Sequence, residues 1–168
     1  MLVLGIDPGS AITGYGLIKS LQSSIYECLE FGCVNTRASD PFHLRLKEIY
    51  DRVVALIANF QPDFVALEDI FYSRNVKSAM QLGQARGASV LAALNSEKAI
   101  VTYTPREVKQ ALTGHGAASK EQVQKMVAKL LHLESMDAPL DASDALAIAI
   151  CHANRFWTEK SLQQRRKQ

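Results

Sequence analysis

The run LVLGID, residues 2–7, is apolar up to its last position, where it ends on Asp7 and passes directly into Pro8 and Gly9. Its length and branched side chains read as a buried β-strand, and Pro-Gly reads as the turn that stops it. A buried strand that finishes on a carboxylate constrains the chain twice. The strand needs partner strands and covering layers. The acid needs a reason to stand at the edge of an apolar sheet, and a turn aspartate bonding its own downstream backbone supplies one such reason for Asp7 taken alone.

The partners follow in order. GYGLIKS, beyond PGSAIT, and IYECLEFGCVNT are β-rich, so three antiparallel strands are expected first. The period then changes: Leu46, Ile49, Val53, Leu56, Ile57 and Phe60 recur at helical spacing, with Asp40 as the expected cap and Pro41 at the first helical position. After QPD, residues Phe64 to Leu67 read as a fourth strand ending on Glu68, and residues 75–95 as a second amphipathic helix. AIVTYT gives a fifth strand. Thr104 and Glu107 form a capping box, with Pro105 opening a short helix that stops at Gly114. Ser119 and Gln122 open the next helix, whose stripe is Val123, Met126, Val127 and Leu130. The last helix starts near Pro139 to Asp141, and its ALAIAICHA run is apolar all round, the mark of a helix buried on several sides. Three hairpin strands followed by alternating helix and strand predict an α/β fold, a mixed five-stranded sheet with three antiparallel strands first and helices on both faces.

Composition narrows the class. The 168 residues, 48% of them apolar, suit one domain over residues 1–156 with a basic, disordered tail at 157–168. Three cysteines, Cys28, Cys33 and Cys151, have neither zinc-site spacing nor the density of a disulfide framework. No basic leader precedes the first apolar run, and no segment approaches the roughly 18 apolar residues of a membrane span. A reducing, cytoplasmic setting is therefore expected. Residues 1–70 hold five Lys/Arg against nine Asp/Glu, whereas residues 71–168 hold fourteen against eight. A basic half attracts polyanions, although a solvated surface has the same composition.

Glu68 gives Asp7 a counterpart. If the first and fourth strands are parallel neighbours, both acids leave the sheet at the same edge, where α/β folds place their chemistry. Asp141 and Asp144, three residues apart, share one face at the start of the most apolar helix, near the positive end of its dipole. Capping or a first-turn place explains Asp141 as well as a functional role does; it explains Asp144 less well, since that acid heads the stripe continued by Ile148. Four carboxylates in a partly dry site repel one another unless a cation neutralises them. All-oxygen ligation favours Mg²⁺, or Mn²⁺, over zinc, and two such ions suit in-line displacement at a phosphodiester. Asp69, next to Glu68, points to the opposite face of the strand and is not expected to be a ligand.

The runs LGIDPGSAITGYGLI, PDFVALEDIFYSRN, QLGQARGA, VKQALTGHGAASKEQVQKMV and DASDALAIAICH together resemble the RuvC family of Holliday junction resolvases, over residues 2 to about 155. The resemblance implies a ribonuclease H-like fold, a homodimer, Mg²⁺-dependent cutting of four-way DNA junctions, catalytic acids at Asp7, Glu68, Asp141 and Asp144, and contact with a branch-migration motor. It also implies that Phe71 lies near the junction crossover, where stacking on an unpaired base is worth roughly 1–3 kcal/mol. Without it, aromatics at that rim could equally be packing. Arg74 and Asn75 would hold phosphate or base.

Lys109 and Lys120 flank a glycine-containing connection into a helix N-terminus, an arrangement that binds phosphate, although solvated surface lysines look the same. His115 either contacts DNA or occupies an exposed loop. Gly83 and Gly87 let another backbone approach the second helix. Packing within the monomer explains them, and so does a dimer interface, since a junction needs two symmetric nicks. Two rivals remain in other classes: an actin-like nucleotide-binding ATPase or phosphotransferase, for which a second phosphate loop is missing, and a junction-binding module without catalysis.

Overall fold

The computed structural model describes residues 1–69, 75–133 and 139–166. Its elements are β1 (Leu2–Asp7), β2 (Ile12–Gln22), β3 (Ile25–Asn35), α1 (Phe42–Phe60), β4 (Phe64–Glu68), α2 (Val76–Asn95), β5 (Ala99–Tyr103), α3 (Pro105–Thr113), α4 (Lys120–Leu130) and α5 (Leu140–Arg165). The strands form one sheet in the order β3-β2-β1-β4-β5. β1, β2 and β3 pair antiparallel, and β4 and β5 join on the other side of β1 in parallel. This is the mixed sheet expected from the order of hydrophobic periods.

Alternation along the strands divides the core in two. Leu4, Ile6, Leu17, Val65 and Leu67 pack with Val53, Leu56 and Ile57 of α1 and with Ala92 and Ala93 of α2. The opposite set, including Val3, Ile18, Ala66 and Tyr103, packs with α3, α4 and the buried half of α5. Helices therefore cover both faces.

α5 comes unusually close to the sheet. A Cβ placed on Gly5 would stand 2.0 Å from the backbone oxygen of Ala145, and one on Gly14 would stand 2.0 Å from that of Asp141. Gly16 is equally filled by Leu146. Small residues on the helix, Ala142, Ala145 and Ala149, are fully buried opposite these glycines. Backbone thus lies nearly on backbone, which brings the first turn of α5 down to the ends of β1 and β2.

Two local expectations need correction. Asp40 does not cap α1: Pro41, in extended conformation, is the N-cap residue, with no side-chain cap, and its carbonyl accepts from Leu44 and Arg45. Residues 157–165, expected to be a disordered tail, continue α5 to Arg165. Trp157 explains this, since its Nε1 donates to Ser20 Oγ at 2.8 Å, and Lys160 lies 4.8 Å from its ring centroid. An Arg155–Glu159 pair at 2.9 Å supports the same turns at i,i+4 spacing. The two capping boxes, Thr104 with Glu107 and Ser119 with Gln122, form as expected, and Gly114 closes α3 at φ 75°. Among the described residues no helix is long and apolar enough to cross a membrane.

Gly5→Ala is expected to cost roughly 1–3 kcal/mol of stability, because a backbone oxygen cannot yield to the new methyl as a side-chain tip would. Urea unfolding measures this. A variant as stable as the parent would mean that α5 can lift from the sheet freely.

Candidate active site

Strand register brings the first two acids together. Ile6 of β1 pairs with Leu67 of β4, so the next residues, Asp7 and Glu68, leave neighbouring parallel strands at the same edge. Ile6 and Leu67 face α1 and α2, and the acids one position on therefore face α5. Asp69 turns the other way and pairs with Arg86 of α2, Nη2 to Oδ1 3.6 Å. It stands apart from the acid group, as alternation predicts.

The turn after Asp7 is tied in place. Thr13 Oγ1 donates to the Gly9 carbonyl at 2.8 Å and accepts from the Gly9 N–H at 3.3 Å. A Cβ on Gly9 would fall 1.9 Å from the Ile12 oxygen, so the turn closes only with glycine there.

The second pair of acids arrives through α5. Asp7 is registered with Gly14 of β2, and Gly14 lies under the Asp141 backbone. Asp141 is in the first turn of α5, whose N-cap is Pro139 and lacks a side-chain cap bond. Asp141 is therefore not the cap, and Asp144 follows one turn later on the same side. All four acids are partly buried.

Their electrostatics record the convergence. Burial first, then the charges of Glu68, Asp144 and Asp141, raise the Asp7 carboxyl from 3.8 to about 8. Burial and then Asp144 raise Glu68 above the ordinary carboxylate range. Burial also raises Asp144, against the opposing effect of Lys120. Lys120 Nζ lies 2.6 Å from Asp144 Oδ2. Lys109 and Lys120 line a cleft of about 240 Å³ with Glu68, Asp144, Val108 and Val123.

Among the described residues no three acids, histidines or cysteines are drawn together as a finished metal-binding group. Asp7, Glu68 and Asp144 each feel the charge of another acid of the group, and an oxygen of Asp144 lies on the Lys120 ammonium. Their chemistry nevertheless fits a hard divalent cation: the donors are all carboxylate oxygens, and added positive charge is what would ionise Asp7 at neutral pH.

The other expected residues fall into three groups. Phe71 and Arg74 lie outside the described residues. Asn75 is the N-cap of α2, its Oδ1 accepting from the Ser78 N–H at 3.1 Å. Gly83 and Gly87 lie on α2, where a Cβ on Gly87 would meet open space, and Met80 and Leu91 of the same helix are exposed. His115 is exposed in the α3–α4 connection.

Two neighbours of the acids went unassigned in the sequence reading. Arg86 Nε donates to the Glu68 carbonyl at 3.2 Å and its Nη2 to Thr102 Oγ1 at 3.4 Å, tying the tips of β4 and β5 to α2. Cys33 is registered with Gly14, and burial followed by the Asp141 charge raises its thiol. The sequence signal for Arg86 was its place within QLGQARGA; Cys33 has none, because its position depends on β2–β3 register.

The family profile described as "Crossover junction endodeoxyribonuclease RuvC" matches residues 3–152. A RuvC of Desulforamulus reducens is 46% identical over 153 residues, covering 91% of this chain and 93% of that protein. One of Alkaliphilus metalliredigens is 47% identical over 154 residues, covering 92% and 93%. The structure of Thermus thermophilus RuvC in complex with Holliday junction substrate superposes with a TM-score of 0.90 at 36% identity, covering 95% of this chain and 96% of that one. The sheet order and covering helices are those of the ribonuclease H-like fold. The chain belongs to the RuvC family of crossover junction endodeoxyribonucleases.

Proposed function

We propose that this protein resolves four-way (Holliday) DNA junctions in homologous recombination and DNA repair, by paired, symmetric, metal-dependent hydrolysis of phosphodiester bonds. The observation that carries the reading is the gathering of Asp7, Glu68, Asp141 and Asp144 beside a cleft walled by Lys109 and Lys120. Acids alone would repel a DNA backbone, and lysines alone would bind it without cutting.

In this reading Asp7, Glu68, Asp141 and Asp144 hold Mg²⁺, with Mn²⁺ as a substitute. Bound there, divalent cations supply a water of lowered pKa and neutralise charge on the leaving oxygen. The chain's own work is to aim the carboxylates from a rigid sheet edge and helix start, and to meet phosphate with Lys109 and with Lys120 at the start of α4. As the family resemblance implies, Phe71 stacks on an unpaired base at the crossover, and Arg74 and Asn75 hold phosphate or base. Met80, Leu91 and the open surface at Gly87 support a homodimer formed through α2, which relates two cutting sites by a two-fold axis. A branch-migration motor is the further partner. The three free cysteines are consistent with a cytoplasmic setting.

Incubating the protein with junction or linear duplex, in Mg²⁺ or chelator, tests the reading. Paired nicks in the junction alone, dependent on Mg²⁺, are expected; ATP turnover or inert binding would favour the two rivals. Asp7→Asn should retain junction binding in a gel-shift assay and lose cutting by on the order of a hundredfold or more. Cutting at the parental rate would remove Asp7 from the site.

Asp7 also makes stability depend on pH. Its native carboxyl is raised from 3.8 to about 8, so between those values the native state keeps a proton that the unfolded chain releases. In chelator, stability should therefore fall as pH rises through this window, by up to about 1.4 kcal/mol per pH unit, and Asp7→Asn should flatten the profile. Urea unfolding from pH 4 to 9 measures both. For the dimer, gel filtration of a folded Gly83→Leu, Gly87→Leu variant should give a monomer; an unchanged dimer would refute the α2 interface.

A further inference from the structure

Lys120 is held in a position that the helix it begins does not favour. It is the first residue of α4, directly after the Ser119 cap, where the helix dipole is positive and a cation is unwelcome. The backbone there is fixed by the reciprocal bonds of the capping box, Ser119 N–H to Gln122 Oε1 at 2.8 Å and Gln122 N–H to Ser119 Oγ at 3.3 Å. From this fixed root the side chain reaches α5 and sets Nζ 2.6 Å from Asp144 Oδ2. The same positive charge acts favourably on Asp7 and Glu68. Lys109 lines the same cleft and acts favourably on Glu68 and Asp144, but no ion pair between it and an acid is formed among the described residues.

The side chain of Lys120 is 49% exposed and that of Asp144 only 25%, so the ammonium can leave toward solvent while the carboxylate stays. A divalent cation taking Asp144 would share one carboxylate with the ammonium, placing two positive charges within a few ångströms of each other. A DNA phosphate at the mouth of the cleft offers the ammonium another anion.

The geometry points to Lys120 as an internal counter-ion: it holds Asp144 against divalent metal until a DNA phosphate draws it away, so that metal and DNA bind cooperatively. This inference rests on the nuclease reading above and adds to it an order of events within the site. Lys120 is then more than a phosphate contact, because removing it improves one binding step while weakening another.

The test is Mn²⁺ binding by the full chain, with free Mn²⁺ followed by electron paramagnetic resonance, for the parent, Lys120→Met and Lys109→Met. Without DNA, Lys120→Met should bind Mn²⁺ about fivefold or more tighter than the parent, and clearly tighter than Lys109→Met, which reports the general loss of one nearby positive charge. A four-way junction with a phosphorothioate core, to resist cutting, should tighten Mn²⁺ binding by the parent and do so less for Lys120→Met. Thermal melting checks that each variant folds, and Lys120→Gln serves if the methionine variant does not. Metal binding by Lys120→Met equal to that of the parent or of Lys109→Met would overturn the counter-ion role and leave the nuclease reading standing. Failure of the parent to bind Mn²⁺ even with the junction would overturn both.

Discussion

The site depends on one contact: the backbone of α5 resting on the backbone of β1 and β2. Gly5 and Gly14 have no room for a methyl group, since the oxygens of Ala145 and Asp141 occupy the space. A helix packed on a sheet through full side chains would stand farther off, and Asp141 and Asp144 would lie too high above the strand ends to affect Asp7. Close packing is therefore a requirement of the site as much as of the core. It also explains why the buried half of α5 is rich in alanine, a residue that adds apolar contact without adding thickness.

The second constraint is electrostatic and opposes the first. Bringing carboxylates toward one another in a half-dry place raises the cost of ionising Asp7, Glu68 and Asp144, and Asp7 is pushed up to about 8. The structure relieves part of this cost with Lys120 on Asp144 and with Lys109 in the same cleft. A site of this kind is stable enough to fold and strained enough to favour binding of positive charge. Its two lysines come from the basic half of the chain, while the strand acids come from the acidic half. The uneven charge distribution along the sequence thus becomes, after folding, a border between acids and cations at one cleft.

Much of the architecture was legible because periodicity is local. The change from alternation to a 3.6-residue repeat near residue 41, the paired capping boxes and the apolar ALAIAICHA run each describe one element, and each has its counterpart in the fold. Where reading failed, a long-range contact had decided the outcome. The tail looked disordered because KSLQQRRKQ has no apolar stripe. It is helical through Arg165 because Trp157 reaches a serine 137 positions earlier in the chain. Asp40 looked like a cap because Asp is a favoured N-cap and Pro a favoured first helical residue, but Pro41 itself is the N-cap and its carbonyl accepts the first helical bonds.

The sequence by itself determined which residues could carry the chemistry: acids at the ends of apolar runs, a lysine on each side of a glycine-containing connection, and a buried last helix that begins with two aspartates. It also determined that Glu68 and Asp69 point to opposite faces of the strand. Only tertiary structure decided that these acids share one place. Convergence requires the parallel register of β1 with β4, the depth to which α5 sinks onto glycine, and the reach of Lys120 from a different helix. Each of these is a distance between residues far apart in the chain, and local periodicity carries no information about such distances.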